Sequence, residues 1–310
     1  MCGTTGFWDI SRQISNDYLP IIVQRMSKSL IHRGPDDGGA WVDEEVGIAL
    51  GHRRLSIVDL SPEGHQPMIS ADGRYLIVFN SEVYNFLELR KQLQSLGYSF
   101  RGHSDTEVML SSFCEWGVLE ATKGFNGMFA FALWDKAECI LHLGRDRIGE
   151  KPLYYGWCGH TFIFASELKA FKLHPDFQPE TNLGALASFL GFSYIPAPYS
   201  IYKDIYKLPP ATLLSYGGAR NVHPEVVPYW SAREAAESGV SHLFTGSETQ
   251  FHLRNILLDL MYGITRFWNL TGLFHTNSVR AIAHPRKKAI RPRYTRTSCC
   301  KWRNRPKAYS

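Results

Sequence analysis

The chain has 310 residues, 44% hydrophobic and 20% charged, which suffices for one large or two small domains around a sizeable core. It has no apolar run near the ~20 residues that cross a bilayer. It also lacks an opening basic stretch followed by an apolar one, so neither a membrane span nor a signal peptide is predicted. The net charge of +5 is uneven: residues 270–310 carry eleven Lys and Arg and no acid, and the rest has 23 basic against 29 acidic residues, a net of −6. The six cysteines (Cys2, Cys114, Cys139, Cys158, Cys299, Cys300) form no C-x-x-C pair and no secreted framework. They predict no metal site and a reducing, cytoplasmic compartment.

The chain opens Met1-Cys2-Gly3. If Met1 is removed, Cys2 carries a thiol and an α-amine on one residue. An amine with an ordinary pKa of about 7.7–8.0 can take the thiol's proton near neutral pH. The resulting thiolate attacks amide carbonyls. Thr4–Trp8 then predicts a strand, and Leu19, Ile22, Val23, Met26, Leu30 and Ile31 mark a helix running to about His32. The glycines and proline of Arg33–Gly39 predict a loop.

Val46–Leu60 predicts one or two strands containing Arg53 and Arg54. They are either solvated on an edge strand or include a planar fork that holds a carboxylate. Tyr75–Phe79 predicts a buried strand ending on Asn80-Ser81-Glu82-Val83-Tyr84-Asn85. Asn80 there is either a turn residue or an amide donor to a developing oxyanion, with a neighbouring N–H beside it. A helix follows over Phe86–Leu96. Ser104 and Glu107 have capping-box spacing and open another helix, with Asp105 at its first position. Asp105 there complements the helix dipole or receives a substrate ammonium. Short strands are predicted over Met128–Trp134, Ile140–Leu143, Leu153–Trp157 and Phe162–Ala165, followed by short helices from Ser166-Glu167 and over Asn182–Leu190. Together these predict an α+β fold, a four-layer α/β/β/α sandwich of antiparallel sheets.

An ordered motif set runs through these elements: Cys2-Gly3, Arg33-Gly34-Pro35-Asp36, Arg54-Leu55-Ser56-Ile57-Val58-Asp59, Gln66-Pro67 and Asn80-Ser81-Glu82-Val83-Tyr84-Asn85. Ser104-Asp105-Thr106-Glu107, Gly127-Met128-Phe129-Ala130-Phe131-Ala132, Gly144-Arg145-Asp146 and Ala165-Ser166-Glu167-Leu168-Lys169 continue it. Over about residues 1–240 the chain resembles the glutaminase half of glutamine-hydrolysing asparagine synthetases. These are class II glutamine amidotransferases of the N-terminal-nucleophile type. The resemblance implies that Cys2 attacks the side-chain amide of L-glutamine with its own α-amine as base. It implies that Arg54 grips the α-carboxylate, that Asp105 holds the α-ammonium with Glu82 lining that end, and that Asn80 and the N–H of Ser81 form the oxyanion hole. The glutaminase reaction is expected to need no cofactor. ATP, Mg2+ and the acceptor L-aspartate are implied for the synthetase half. No membrane or nucleic-acid partner is implied, and a homodimer is among the assemblies allowed.

Two departures stand out. The family pattern is Asn-Gly-Glu where this chain has Ser81, so a positive φ there would strain the backbone by roughly 1–2 kcal/mol. The Ser-Gly-Gly-x-Asp-Ser loop of the family's ATP-pyrophosphatase domain is also absent from the sequence, and the motif match ends near Thr249. The expected organisation is a glutaminase domain over 1–207, a linker and the start of a synthetase domain over 208–249, and a basic tail over 250–310. The tail is expected to be disordered or frame-shifted, with a nucleic-acid-binding arm as the alternative. The expected function is glutamine hydrolysis to glutamate and ammonia with the synthetase half lost, and the alternative is a non-catalytic glutamine-binding or subunit-interaction remnant of a truncated synthetase.

Overall fold

The computed structural model describes residues 1–57, 59–217 and 221–241. In chain order these form β1 (Gly3–Asp9), α1 (Tyr18–Lys28), β2 (Asp37–Asp43), β3 (Ile48–Arg54), β4 (Met68–Ile69) and β5 (Tyr75–Val83). Next come α2 (Phe86–Ser95), α3 (Asp105–Trp116), α4 (Val118–Gly124), β6 (Gly127–Asp135), β7 (Ile140–Arg145), β8 (Tyr154–Cys158) and β9 (Thr161–Ala165). The last are α5 (Leu183–Phe192), β10 (Ile205–Lys207), β11 (Thr212–Gly217), β12 (Asn221–Pro228) and α6 (Ala232–Ser241).

The strands build two antiparallel sheets, ordered β10-β8-β9-β1-β3-β2 and β12-β11-β7-β6-β5-β4. Alternation of side chains along each strand decides what lies between the sheets and what faces the helices. In β1, Phe7 joins Val23, Met26 and Leu30 of the α1 layer, whereas Trp8 joins Leu50, Val78, Ala132 and Trp134 between the sheets. In β5 and β6, Ile77, Phe79 and Phe131 face outward onto Leu93, Met109 and Phe113 of α2 and α3. The result is the expected α/β/β/α sandwich.

Several boundaries differ from the sequence reading. Asp37, Gly38 and Gly39, expected in a loop, begin β2 opposite Arg54, Arg53 and His52. The glycines fit because neighbours come close: a Cβ on Gly39 would lie 2.3 Å from the Gln66 carbonyl oxygen. β5 continues to Val83, carrying Asn80-Ser81-Glu82 within a strand because β6 pairs with it along its whole length. Ser166-Glu167 opens a turn leading to one 3-10 turn at Phe171–Leu173, where a helix was expected. Two strands also form in the stretch expected as a linker. β11 and β12 add two strands to the second sheet, with Leu213 and Leu214 buried on its two faces. The tail expected over 250–310 lies outside the described residues.

Candidate active site

Cys2 stands just ahead of β1, and alternation from the outward Phe7 and inward Trp8 turns it toward the space between the sheets. Gly3, on the opposite face, is pressed against α1: a Cβ there would lie 2.8 Å from Leu30 Cβ. The Cys2 Sγ sits against Leu55, donating to its carbonyl at 3.7 Å and accepting from its N–H at 3.4 Å. Arg33 fixes the residue from behind. Its Nε donates to the Cys2 carbonyl at 2.9 Å, and its Nη1 bonds Glu167 at 2.9 Å.

Burial pushes the Cys2 thiol above its ordinary pKa, opposed by the Leu55 N–H and the nearby amine. The Met1 amine is lowered, first by burial and then by Arg33 and Lys151, with Cys2 opposing. Burial is the first cause of both shifts, and it favours the uncharged forms of the thiol and of the Met1 amine beside it.

Arg54 ends β3 and is buried, unlike a solvated edge arginine, because β3 lies between β1 and β2. Its Nη1 donates to the Ser61 carbonyl at 2.9 Å, and its Nη2 donates to the Asp59 carbonyl. A Cβ on Gly64 would lie 2.1 Å from Nη2, so only glycine leaves room for the guanidinium. With two of its five N–H groups used, the fork keeps donors for a carboxylate. Asp59 ties this loop to the start of α3, its Oδ2 accepting from His103 N–H at 2.9 Å.

The second half of β5 carries the polar groups. Its β4 partner ends at Met68, paired with Ile77. Beyond that point side chains replace the missing strand: Gln66 Oε1 accepts from Phe79 N–H at 2.7 Å, and Asp105 Oδ2 accepts from Val83 N–H at 3.0 Å. Backbone N–H groups two residues apart point to the same edge. The Ser81 N–H therefore faces that edge between two clamped neighbours, and no side-chain acceptor among the described residues meets it. Asn80 is 1% exposed and faces inward, and neither its Oδ1 nor its Nδ2 has a partner. A buried amide with no partner is a rare arrangement, and its Nδ2 can donate to an oxyanion. Ser81 has no positive φ, so the strain anticipated for a non-glycine residue is absent. Its hydroxyl faces the other way by alternation and is buried without a partner.

Asp105 is the first residue of α3, capped by Ser104 Oγ accepting from Glu107 N–H at 3.3 Å. Glu107 does not complete a capping box; its carboxylate takes the N–H groups of Arg101 at 2.8 Å and Gly102 at 3.0 Å. Burial raises the Asp105 pKa to about 6 despite the hydrogen bonds from Val83 and its own helix start. Glu82 adds a second negative charge nearby and faces inward two residues after Asn80. Cys2 senses the charges of both Asp105 and Arg54, so thiol, cation and anion share one end of the sandwich. Sequence reasoning gave no role to Gln66, Arg33, Glu167 or Lys151. The first three occur in the quoted motifs, but only tertiary contacts reveal what they hold. Lys151 is 5% exposed and is pushed below its ordinary pKa by burial, opposed by Glu82. Among the described residues no helix is long and apolar enough to cross a membrane.

Residues 1–230 match the glutamine amidotransferase domain family. Asparagine synthetase [glutamine-hydrolyzing] 3 of Bacillus subtilis (strain 168) is 32% identical over 305 residues, covering 95% of this chain and 47% of that protein. That alignment reaches past residue 249, where the motif match was expected to end. Putative asparagine synthetase [glutamine-hydrolyzing] 2 of Methanocaldococcus jannaschii is 37% identical over 226 residues, 67% of this chain and 42% of that protein. The chain thus spans about half or less of the length of these curated relatives. Among solved structures, glutamine phosphoribosylpyrophosphate amidotransferase from B. subtilis superposes with a TM-score of 0.53 at 20% identity, over 74% of this chain and 49% of that one, a likeness of fold alone. On the match to residues 1–230, the chain belongs to the glutamine amidotransferase family.

Proposed function

We propose that this chain hydrolyses L-glutamine to L-glutamate and ammonia, with Cys2 as nucleophile after removal of Met1. The observation that carries this reading is the Asn80 amide, buried and unpartnered beside the unclamped N–H edge of Ser81, at the end of the sandwich that holds Cys2. Arg54 supplies a cation for the α-carboxylate. Asp105 and Glu82 supply negative charge for the α-ammonium. The Cys2 sulfur attacks the side-chain amide carbon as the α-amine takes the thiol proton. The oxyanion is met by Asn80 Nδ2 and Ser81 N–H. When the tetrahedral species collapses, the amine returns the proton to the leaving nitrogen, so ammonia departs and a thioester remains. Water then attacks the thioester, giving glutamate and restoring the thiol. Apart from water, every group that acts on glutamine in this sequence is a residue of the chain.

The resemblance also supports L-aspartate as the eventual acceptor of the ammonia in an ATP- and Mg2+-dependent amidation, a homodimeric assembly and a cytoplasmic location. No residue among those described is assigned to ATP or magnesium. The glutaminase unit is proposed to extend through β12.

Intact-mass measurement should show loss of Met1, and the purified chain should release glutamate from glutamine. Cys2→Ala should abolish that release while circular dichroism stays unchanged. Retained turnover in Cys2→Ala would overturn the assignment. Supplying aspartate, ATP and magnesium and following asparagine and AMP tests the amidation separately, and sedimentation tests the dimer.

A further inference from the structure

One fully buried titratable side chain at this end of the sandwich has no part in the chemistry above. His52 lies in β3 and is 0% exposed. Its main chain is immobilised on three sides: it pairs with Thr4 of β1 and Gly39 of β2, and its carbonyl accepts from Ser27 Oγ of α1 at 3.0 Å. Its ring crosses the gap between the sheets and meets the Phe79 carbonyl of β5 at 3.0 Å. A carbonyl only accepts, so Nε2 carries the proton, and Nδ1 is left buried with no partner. Burial lowers its pKa to about 3, so the ring is neutral.

The place of this bond gives it meaning. Phe79 is the first residue of the β5 edge beyond the reach of β4. In a strand the N–H and C=O of one residue point to the same side. Gln66 takes the N–H and His52 takes the C=O, so two side chains stand in for the missing strand. That carbonyl belongs to the peptide whose nitrogen is Asn80. The unpartnered Nδ1 adds a desolvation cost that a leucine in the same space would avoid. What His52 offers in return is a donor at one backbone oxygen.

We propose that His52 is a positioning residue for the oxyanion donor Asn80: by holding the Phe79–Asn80 peptide from the opposite sheet, it fixes the direction of the Asn80 amide. The inference rests on the oxyanion reading of Asn80. It assigns His52 no contact with substrate.

The test is glutaminase kinetics on the full chain for wild type, Asn80→Ala, His52→Leu and the double variant. Loss of one oxyanion donor costs about 100- to 1000-fold in kcat. His52→Leu should cost about 10- to 100-fold in kcat and leave the KM for glutamine within about twofold, because ground-state binding does not use the oxyanion donors. Groups that act through one another are not additive. The double variant should therefore be no slower than Asn80→Ala alone, whereas a merely structural role would multiply the two losses.

His52→Gln places an amide donor near the position of Nε2 and should restore most of the rate. His52→Asn keeps a buried amide but stops a methylene short of Phe79, and should behave like His52→Leu. If His52→Leu fails to fold, the Gln and Asn variants decide the matter: a fast Gln and a slow Asn variant supports the inference, and equal rates overturn it. An Asn80→Ala variant as fast as wild type, or a wild type without turnover, overturns the underlying reading and the inference with it. A slow Asn80→Ala with a fast His52→Leu, or with multiplying losses, overturns the inference alone.

Discussion

The two ends of the proposed glutamine site are built by different means. The end formed by β5 is placed by a strand. Alternation turns Asn80 and Glu82 inward, pairing with β6 sets the height, and clamps on Phe79 and Val83 leave Ser81 between them. The Arg54 end is placed by a loop, with the guanidinium seated on the Ser61 and Asp59 carbonyls and against the bare α-carbon of Gly64. Ile57 and Leu60 of the same loop are 60% and 80% exposed. A backbone donor in a strand survives a change of side chain, because the ladder holds it. A guanidinium seated in a turn is exposed to any change in the space that turn leaves.

The largest expected effect removes charge from the strand end without disturbing its frame. Asp105→Asn keeps an oxygen acceptor for Val83 N–H but loses the anion. Glutamine binding should fall about 10- to 100-fold, the loss of a charge-assisted bond of roughly 1.5–3 kcal/mol. The same variant should be more stable at neutral pH. The Asp105 pKa is raised to about 6 when folded. Its stabilising contribution is therefore complete below the unfolded value of about 3.9 and is lost as pH rises through about 6. Asp105→Asn should thus gain on the order of 1–3 kcal/mol over wild type at pH 7.5, with the gap closing below about pH 4. Wild-type affinity for glutamine should weaken as pH falls through about 6, while the variant's weaker affinity lacks that contribution. Calorimetry and urea melts across pH check both signs. A variant no more stable than wild type at pH 7.5 would mean that Asp105 is already neutral or paired.

A smaller effect is expected at the loop end, from a single methyl group. Gly64→Ala would place a Cβ 2.1 Å from Arg54 Nη2, so the guanidinium must leave its seat. The KM for glutamine should rise by about tenfold, since Arg54 binds ground state and transition state alike. kcat at saturation should change little. A fall in kcat at constant KM would show that the Arg54 loop also sets the oxyanion geometry, and the contrast between the two ends would collapse.

Much of this was legible in the sequence, for a physical reason. The sandwich follows from short alternating strands, and Cys2, Arg54, Asn80, Glu82 and Asp105 occur in contiguous motifs. What stayed hidden is contact between distant segments. Nothing local says that Asp37–Gly39 pairs as a strand, because glycines depress strand propensity and only the close approach of Arg53 to Gly38 and of Gln66 to Gly39 demands them. β11 and β12 read as a linker because their membership of the second sheet is settled by pairing of β11 with β7 and of β12 with β11. His52 and Gln66 look ordinary in sequence, and their roles exist only where β4 stops short of Phe79.

The smallest expected effect is the sharpest test of the strand end. Ser81 stands where the family pattern has glycine, and two outcomes follow from two backbones. If residue 81 needed a positive φ, serine would strain the oxyanion donor, and Ser81→Gly would recover up to about 100- to 1000-fold in kcat. Ser81 instead lies in β5, paired with Phe129 and outside the left-handed region. Its N–H keeps its direction whatever its side chain is. Ser81→Gly should therefore leave kcat within about threefold, a change of under ~1 kcal/mol in barrier. Its effect should appear in stability, and there two terms oppose. Removing the buried, unpartnered hydroxyl should gain about 1–3 kcal/mol, and glycine's extra backbone freedom should cost about 0.5–1 kcal/mol. A modest net gain in urea melts with unchanged turnover is the expected pair of results. A large recovery of kcat would mean that serine does bend the donor away, and that a strand tolerates side-chain change less well than its ladder suggests.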